Sequence, residues 1–140
     1  MDTSALTVRR FMTPDPMTLG PEDSLMRALE LMRLRHIHRI PIVLGDALLG
    51  LLVEGDLKRA EPSMLSQSQD EFNRVMEETP ISRIMIRDPM TISPDAPLLS
   101  AAQTLHSTKY GSLPVVEDGR VVGIITANDM LRALVEVLGG

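Results

Sequence analysis

Two kinds of hydrophobic pattern alternate along the chain. Short continuous apolar runs, such as those around Ile42 and Ile124, predict buried strands. Between them lie segments whose apolar residues recur at helical spacing, which predicts amphipathic helices. These positions are Leu25, Ala28, Leu29 and Met32 in the first half and Leu98, Ala101, Ala102 and Leu105 in the second. Asp23 or Ser24 can cap the earlier helix and Asp95 the later one, so the pattern predicts a mixed α/β (α+β) fold.

Tight turns interrupt the apolar runs at matching places. Asp118-Gly119 is a strong signal for a two-residue hairpin, and Gly45-Asp46 has the same role in the first half. A second helix is predicted after each hairpin, from Glu54 to about Ala60 and from Ala127 to about Leu138. Each half therefore has the predicted order β-α-β-β-α.

The two halves are copies of one another. They align without a gap at an offset of 73 residues, which places Arg83 on Arg10 and Gly123–Asp129 on Gly50–Asp56. Chance is a poor explanation for a register shared over about 50 positions. We define repeat 1 as residues 1–61, a linker with a short helix around Phe72 as residues 62–79, and repeat 2 as residues 80–140. Because units of about 50 residues bury little apolar surface, the repeats are expected to share a core.

The end of repeat 2 places polar groups at the start of a helix. Thr126 ends an apolar strand, Ala127 begins the helix, and Asp129 follows three residues after Thr126. A hydroxyl, bare amide groups and a carboxylate at one helix N-terminus suit a phosphate and a ribose. The same spacing is that of a capping box, in which the carboxylate turns back to the backbone of Thr126. From this segment alone capping is the more frequent outcome, and both interpretations stay open.

Composition and charge exclude several classes of function. The net charge is −5 without a long basic run, which argues against a nucleic-acid surface. The chain has no cysteine, so disulfides, thiol catalysis and thiolate metal sites are excluded. No apolar run approaches the roughly 20 residues of a membrane span, and the start of the chain lacks a signal-peptide pattern, so a cytoplasmic protein is expected. No catalytic motif is present, and we do not expect an enzyme.

One basic cluster lies at the end of the first long helix. For Arg33 and Arg35, a solvated helix C-terminus is the simpler explanation, because cations favour that end of the helix dipole. His38 and Arg39 lie on the following strand and are candidates for ligand binding. His36 and His38 suggest a metal only weakly, since no third ligand is evident, and we expect no metal site.

The repeated unit resembles a CBS domain. The residues that carry the resemblance are the strand Leu113-Pro114-Val115-Val116, its counterpart Ile40-Pro41-Ile42-Val43, and the terminal segment Gly123–Asp129. Two such units in tandem are similar to a CBS pair, or Bateman module, and the linker is similar to that of acetoin-utilisation-type CBS proteins. The resemblance implies a pseudo-twofold pair that acts as a sensor and binds adenosine compounds in two clefts between the repeats.

The resemblance also implies which residues bind the ligand, because each cleft takes its Thr-x-x-Asp segment from one repeat and its adenine-flanking residues from the other. The first cleft would be formed by Met12, Thr13, Met17, Ile37, His38, Arg39, Ile40, Thr126, Asn128 and Asp129. The second would be formed by Asp56, Met85, Met90, Tyr110, Gly111, Ser112 and Leu113. In this assignment Asp129 accepts the two ribose hydroxyls, while Thr126 and Arg39 contact the phosphate.

The two clefts differ in their chemistry. Where repeat 2 has Thr126, repeat 1 has Val53, which cannot donate to a phosphate, and Glu54 adds a negative charge beside it. Ser112 stands where repeat 1 has Arg39. We therefore expect the first cleft to bind an adenine nucleotide (AMP, ADP or ATP). The second is expected to be weak, empty or suited to an uncharged adenosine compound.

Two other functions stay open. The ligand could be another adenosine compound, such as S-adenosylmethionine or a cyclic dinucleotide, or the chain could be a structural dimerisation module without a ligand. A homodimer is expected because one helix face carries more apolar residues than a single chain can cover, namely Leu131, Leu134, Val135 and Leu138. No cofactor is required, although Mg²⁺ could accompany the phosphates, and the sequence does not identify the regulated protein.

Overall fold

A computed structural model describes residues 6–63, 68–108 and 110–140, and residues 64–67 of the predicted linker lie outside this range. The helices are α1 (Val8–Phe11), α2 (Leu25–Arg35), α3 (Glu54–Ala60), α4 (Gln69–Glu78), α5 (Leu98–Ser107) and α6 (Ala127–Gly139). The strands are β1 (Thr13–Pro14), β2 (Arg39–Leu44), β3 (Ala47–Val53), β4 (Ile86–Arg87), β5 (Ser112–Glu117) and β6 (Arg120–Thr126). A turn of 3₁₀ helix, Ile81–Arg83, precedes β4. The predicted α/β fold class is confirmed.

The chain divides into two units, and the division exchanges the initial segments of the repeats. The first unit is Met17–Asp88, and the second combines Met1–Pro16 with Pro89–Gly140. Helix α1 and strand β1 therefore belong to the unit that holds most of repeat 2, whereas β4 belongs to the unit that holds most of repeat 1.

In the first unit, β2 and β3 form an antiparallel hairpin with Ile40 opposite Leu52, and β4 pairs antiparallel with β3. Helix α2 is capped by Ser24, whose hydroxyl accepts a hydrogen bond from the Arg27 amide at 3.0 Å. Of the two predicted caps, Ser24 is therefore the correct one, and Asp23 instead accepts a hydrogen bond from a backbone amide nearby. The core consists of Leu19, Leu25, Ala28, Leu29, Leu31, Met32, Ile40, Ile42, Leu52, Leu57, Met76 and Ile81.

The predicted linker helix is confirmed as α4. It begins after Ser68, whose hydroxyl accepts a hydrogen bond from the Glu71 amide at 3.2 Å. Met76 is fully buried in the first unit and Phe72 packs against the same core. Its apolar face thus contributes to the core of the first unit.

In the second unit, β5 and β6 form the matching hairpin with Ser112 opposite Thr126, and β1 pairs antiparallel with β6. The turn between β5 and β6 has positive φ angles at Asp118 (51°) and Gly119 (80°), as a type I′ turn requires, so the hairpin prediction is confirmed. The core consists of Val8, Phe11, Leu98, Ala101, Leu105, Leu113, Val115, Ile125 and Ala133.

The start of α5 differs from the prediction that Asp95 caps it. The helix begins after Pro97, which is extended (φ −61°, ψ 143°) and makes no side-chain cap. The reason is local: the N-cap position is taken by a proline, whose side chain has no hydrogen-bond acceptor, and Asp95 lies two residues before it. The initial segment of the chain also pairs here, since Val8 N donates to Ala96 O at 3.0 Å and Thr7 bridges Pro97. The backbone at the start of α5 is therefore engaged by α1 and the residue before it.

A glycine in β6 and another in β3 permit the close approach of the short strands that pair with them, β1 and β4. At Gly123 of β6, an added Cβ would lie 2.5 Å from Met12 Sδ and 3.0 Å from Thr13 O. At Gly50 of β3, it would lie 2.7 Å from Ile86 O. These glycines occupy the same position in the two repeats, so the repeat preserves the space that β1 and β4 need.

We expect Gly123→Ala to lower the free energy of unfolding by about 1–3 kcal/mol, because the new methyl group overlaps Met12 and the Thr13 carbonyl. Urea denaturation measures the change. Gly139→Ala is the control, since an added Cβ there meets no atom within 4 Å. Equal stability of the two variants would contradict the close approach of β1 to β6.

Candidate functional site

The start of α6 is a complete capping box. Thr126 ends β6 in an extended conformation, and its Oγ1 accepts a hydrogen bond from Asp129 N at 3.2 Å. In return Asp129 Oδ2 accepts a hydrogen bond from Thr126 N at 2.9 Å. The capping interpretation of this segment is therefore confirmed.

The Asp129 carboxylate has further donors that a simple cap does not require. Thr126 Oγ1 also donates to Oδ2 at 3.1 Å, and Thr13 Oγ1 donates to Oδ1 at 3.3 Å. Arg132 Nη2 lies 3.2 Å from Oδ1. The residue is only 3% exposed, and a buried carboxylate of this kind is stable only when it is paired and hydrogen-bonded. Asp129 is thus a buried anion, and both of its carboxylate oxygens accept hydrogen bonds from neighbouring groups.

Arg132 connects this carboxylate to the initial segment of the chain. Its Nη2 donates to Phe11 O at 2.6 Å while the same nitrogen pairs with Asp129. Glu136, one turn further along α6, forms an ion pair with Arg10. Sequence reasoning missed Arg132, although the spacing Asp-x-x-Arg recurs in register at Asp56 and was a usable signal.

The amide groups at the start of α6 are less available than expected. Ala127 N donates to Gly111 O at 3.0 Å, and Asp129 N is used by the cap. The expectation of several bare amides is therefore wrong for these two residues. Asn128 is exposed, and its amide is the one in this part of the first turn that has no hydrogen-bond partner among the described residues.

The other residues assigned to the first cleft lie partly in each unit. Met12 and Thr13 join Thr126, Asn128 and Asp129 in the second unit, and the structure brings Thr13, Thr126 and Asp129 into direct contact. The members in the first unit are Met17, Ile37, His38, Arg39 and Ile40.

Within the first unit, these members differ in exposure. Met17 is exposed (41%), Ile37 is half-buried and Ile40 is fully buried in the core, so the Ile40 side chain is occupied with packing. Arg39 lies opposite Val53 in the hairpin register.

His38 and Glu54 form a charged cluster in the first unit. His38 Nδ1 lies 2.9 Å from Glu54 Oε2, and Lys58 Nζ lies 3.0 Å from Glu54 Oε1. Glu54 N also donates to His38 O at 2.8 Å. Hydrogen bonds from His38, and then from Lys58, hold the pKa of Glu54 below its usual range. Glu54 therefore keeps the negative charge that the sequence predicts here, and the Lys58 ammonium group offsets it in part.

The second proposed cleft has a different helix start. Val53 precedes α3 without a side-chain cap, and the Asp56 carboxylate forms an ion pair with Arg59. The Asp56 side chain is 26% exposed, whereas that of Asp129 is 4% exposed. This comparison shows that the matching carboxylate of repeat 1 is the more accessible one.

The remaining second-cleft residues also differ in exposure. Met90 is 54% exposed, Met85 packs against the first unit's core, and Leu113 is fully buried. Tyr110 is half-buried, and Gly111 adopts a positive φ of 67°. The Ser112 hydroxyl is buried and has no hydrogen-bond partner among the described residues. Ser112 therefore presents no exposed donor comparable to a guanidinium.

A groove of about 420 Å³ lies between α2 and α3 and was not predicted from the sequence. Its floor is apolar and its edges are charged. The lining residues are Leu29, Met32, Arg33, Glu54, Leu57, Lys58 and Glu61.

In the part of the chain that the structure describes, no helix is long and apolar enough to cross a membrane.

Comparison with known proteins identifies the repeat. The family model of the CBS domain matches twice, at residues 8–63 and 81–136. A CBS domain-containing protein of Dictyostelium discoideum is 31% identical over 134 residues, which cover 94% of this chain and 92% of that protein. Inosine-5′-monophosphate dehydrogenase of Korarchaeum cryptofilum is 31% identical over 121 residues, but these cover 22% of the enzyme. In that enzyme the matching region is a part of a larger protein.

Solved structures share the fold over nearly the whole chain. One described as an acetoin utilization protein of Vibrio cholerae has a TM-score of 0.78 and 33% identity, covering 95% of this chain and 93% of that chain. CBSX2 in complex with AMP has a TM-score of 0.79 and 27% identity, covering 95% and 98%. The CBS domain pair of protein MJ0100, with 5′-methylthioadenosine and S-adenosyl-L-methionine, has a TM-score of 0.77 and 27% identity, covering 94% and 97%.

Because the pKa of Glu54 is lowered on folding, its contribution to stability is present above the unfolded pKa, near 4.5, and is lost as the pH falls through the lower folded value. We expect Glu54→Gln to reduce the loss of unfolding free energy over that acid range. Denaturation at a series of pH values measures this. Glu30→Gln, at an exposed position of α2 outside the cluster of His38, Glu54 and Lys58, is the control for the loss of one carboxylate. A Glu54→Gln profile that matches the wild type would contradict the assigned cluster.

Proposed function

Because the chain belongs to the CBS-domain family, with two copies in tandem, we propose that it is a regulatory module that binds an adenine nucleotide. The observation that carries the proposal is the buried Asp129 carboxylate at the start of α6, next to the Thr126 hydroxyl. A carboxylate that already accepts hydroxyl donors on both oxygens has the geometry that a ribose diol requires.

Each part of a nucleotide has a candidate partner. Asp129 accepts the ribose hydroxyls, and the exposed Asn128 amide with the Thr126 hydroxyl can donate to the first phosphate. Arg39 supplies a forked cation for the same phosphate. Met12, Met17, Ile37, His38 and Ile40 complete the assigned set, and Thr13, also assigned to it, contacts the Asp129 carboxylate. The contribution of the residues in the first unit rests on the resemblance to the family.

Known ligands of similar proteins support an adenosine compound. AMP was bound to CBSX2, and 5′-methylthioadenosine and S-adenosyl-L-methionine were bound to MJ0100. These molecules share adenosine and differ in what is attached to its 5′ carbon. All of them therefore offer the same ribose to a carboxylate such as Asp129. The protein side chains near the 5′ carbon of the ligand then decide whether a phosphate, an uncharged group or a sulfonium group binds.

A specific observation favours a different ligand for the second cleft. Val53 supplies no hydroxyl to α3, and the Ser112 hydroxyl is buried. A phosphate placed there would lose water without gaining these donors, which is unfavourable. Asp56, with 26% of its side chain exposed, still offers an acceptor for a ribose. We therefore propose an adenosine compound without a phosphate as the ligand of the second cleft. A cyclic dinucleotide bound there, or an empty cleft, would contradict this proposal.

The proposed module acts as a homodimer. Helix α6 exposes apolar side chains at helical spacing, with exposures of 61% for Leu131, 51% for Leu134, 73% for Val135 and 75% for Leu138. A contiguous apolar patch of this kind on a small protein is typical of an interaction surface. The proposal needs no cofactor, and Mg²⁺ enters only if the nucleotide carries several phosphates.

Titration calorimetry with AMP and adenosine tests the nucleotide assignment. We expect one tight AMP site per chain. Arg39→Ala should weaken AMP by roughly tenfold or more and adenosine much less, because a hydrogen bond between charged groups contributes about 1.5–3 kcal/mol. Arg35→Ala is the matched control, since Arg35 ends α2 on an exposed position. Two equal sites per chain, or equal losses for AMP and adenosine, would overturn the assignment.

Val53→Thr tests the difference between the clefts. It restores a hydroxyl at the start of α3, and we expect a second AMP site to appear or tighten in the same titration. Val43→Thr, at a half-buried position on the neighbouring strand β2, controls for the added hydroxyl and should leave the stoichiometry unchanged. A Val53→Thr protein that still binds one AMP with unchanged affinity would refute this explanation of the weak cleft.

Light scattering at micromolar concentration tests the homodimer. We expect a mass of two chains for the wild type and of one chain for Leu134→Glu with Leu138→Glu, because the charges would have to be buried without partners. Leu99→Glu is the control, since Leu99 is also exposed (67%) but lies on α5. A monomeric wild type would refute the dimer.

A further inference from the structure

We propose that the Thr13 hydroxyl is an internal competitor of the ligand: it occupies a position on Asp129 that one ribose hydroxyl takes on binding. This inference rests on the proposed function, since it assumes a ligand with a diol. In this role Thr13 lowers the affinity, because its hydroxyl competes with a ribose hydroxyl for the Asp129 carboxylate.

The Asp129 carboxylate is saturated in the structure. Oδ1 faces Thr13 Oγ1 at 3.3 Å and Arg132 Nη2 at 3.2 Å. Oδ2 faces Thr126 N at 2.9 Å and Thr126 Oγ1 at 3.1 Å. A carboxylate has about four lone-pair positions in total. A diol can therefore bind only if existing donors leave.

The donors divide into fixed and exchangeable ones. Arg132 is held by its hydrogen bond to Phe11 O at 2.6 Å, and Thr126 N belongs to the backbone at the end of β6. The hydroxyls of Thr13 and Thr126 rotate about a single bond and can donate elsewhere. One exchangeable hydroxyl lies on each oxygen, which matches the two neighbouring hydroxyls of a ribose. Binding would thus exchange hydroxyl for hydroxyl and keep Arg132 and the backbone amide in place.

The two displaced hydroxyls have different destinations. Thr126 Oγ1 still accepts the Asp129 amide at 3.2 Å, and its proton becomes free for an anionic group of the ligand. Thr13 is exposed, so its hydroxyl can return to water. Strand pairing of Thr13 with Ile124 holds the backbone at this position, so the exchange needs only a side-chain rotation there.

Repeat 1 lacks this arrangement. Ile86 stands at the position of Thr13 and Val53 at that of Thr126, so neither aligned residue can donate a hydroxyl to Asp56. Asp56 keeps the ion pair with Arg59, which corresponds to Arg132. The fixed cation is therefore present in both units, and the competing hydroxyls are present only around Asp129.

Calorimetry with AMP and with 2′,3′-dideoxyadenosine monophosphate, together with thermal melting of the ligand-free protein, tests the inference. Thr13→Val removes the hydroxyl and keeps the shape. It should bind AMP about threefold more tightly, as the loss of one weak competing hydrogen bond predicts, while the ligand-free protein melts at a lower temperature. The dideoxy compound, which has no diol, should show no gain. Thr13→Ser retains the hydroxyl and should show no gain in AMP affinity. Thr91→Val, at an exposed threonine of the same unit, is the control and should match the wild type.

The outcomes separate this inference from the function on which it rests. AMP binding that is unchanged or weaker in Thr13→Val, while the wild type binds AMP, would overturn the inference and leave the function standing. An equal gain for AMP and the dideoxy compound would also overturn it, since the diol would then be irrelevant. Binding by Thr13→Val but not by the wild type would support it. No AMP binding by either protein would overturn both.

Discussion

The burial of one carboxylate organises the second unit. Asp129 is 3% exposed, and a buried anion is unfavourable unless donors replace the water that it loses. The capping box supplies donors from Thr126, but the others come from Thr13 and Arg132. Arg132 is in turn tied to the Phe11 carbonyl. The position of α1 and β1 beside α6, which strand pairing and the packing of Val8 and Phe11 set, is therefore also what keeps the carboxylate satisfied.

The two helix starts share a backbone and differ in chemistry. Glu54 N donates to His38 O at 2.8 Å, and Ala127 N donates to Gly111 O at 3.0 Å at the equivalent place in the other repeat. This shared hydrogen bond fixes how each helix leaves its hairpin. The side chains at the two helix starts differ although the backbone is the same. Helix α6 is capped by Thr126, and the Asp129 carboxylate there accepts several hydrogen bonds, whereas α3 follows Val53 without a side-chain cap. Such divergence lets a duplicated unit keep its fold while its two candidate sites acquire different side chains.

The saturated carboxylate also bears on how a sensor could be tuned. A site whose carboxylate oxygens already accept hydrogen bonds without ligand is stable in the ligand-free state, and binding gains only the difference between the ligand's hydrogen bonds and those it replaces. Under the proposed exchange at Asp129, affinity is set by weak internal contacts such as that of Thr13.

Much of the local structure could be predicted from the sequence. The hairpin at Asp118-Gly119 followed from residues that tolerate positive φ, and the cap of α6 followed from the spacing of Thr126 and Asp129. The Asp95 cap failed because α5 begins after Pro97, whose side chain has no acceptor, so that Asp95 lies two residues before the N-cap position. Local signals thus succeeded for the turn and for the cap of α6, and were wrong by two residues at the start of α5.

The sequence by itself determined the repeat, its β-α-β-β-α order and the candidate residues, because these depend on periodicity, turn chemistry and short-range spacing. The tertiary structure alone decided that the initial segment joins the unit holding most of repeat 2. It also decided that Thr13 and Arg132 converge on Asp129. Thr13 lies 116 positions from Asp129, and Phe11 lies 121 positions from Arg132. Contacts over such separations arise from strand pairing and core packing, which bring together residues whose proximity no local pattern encodes.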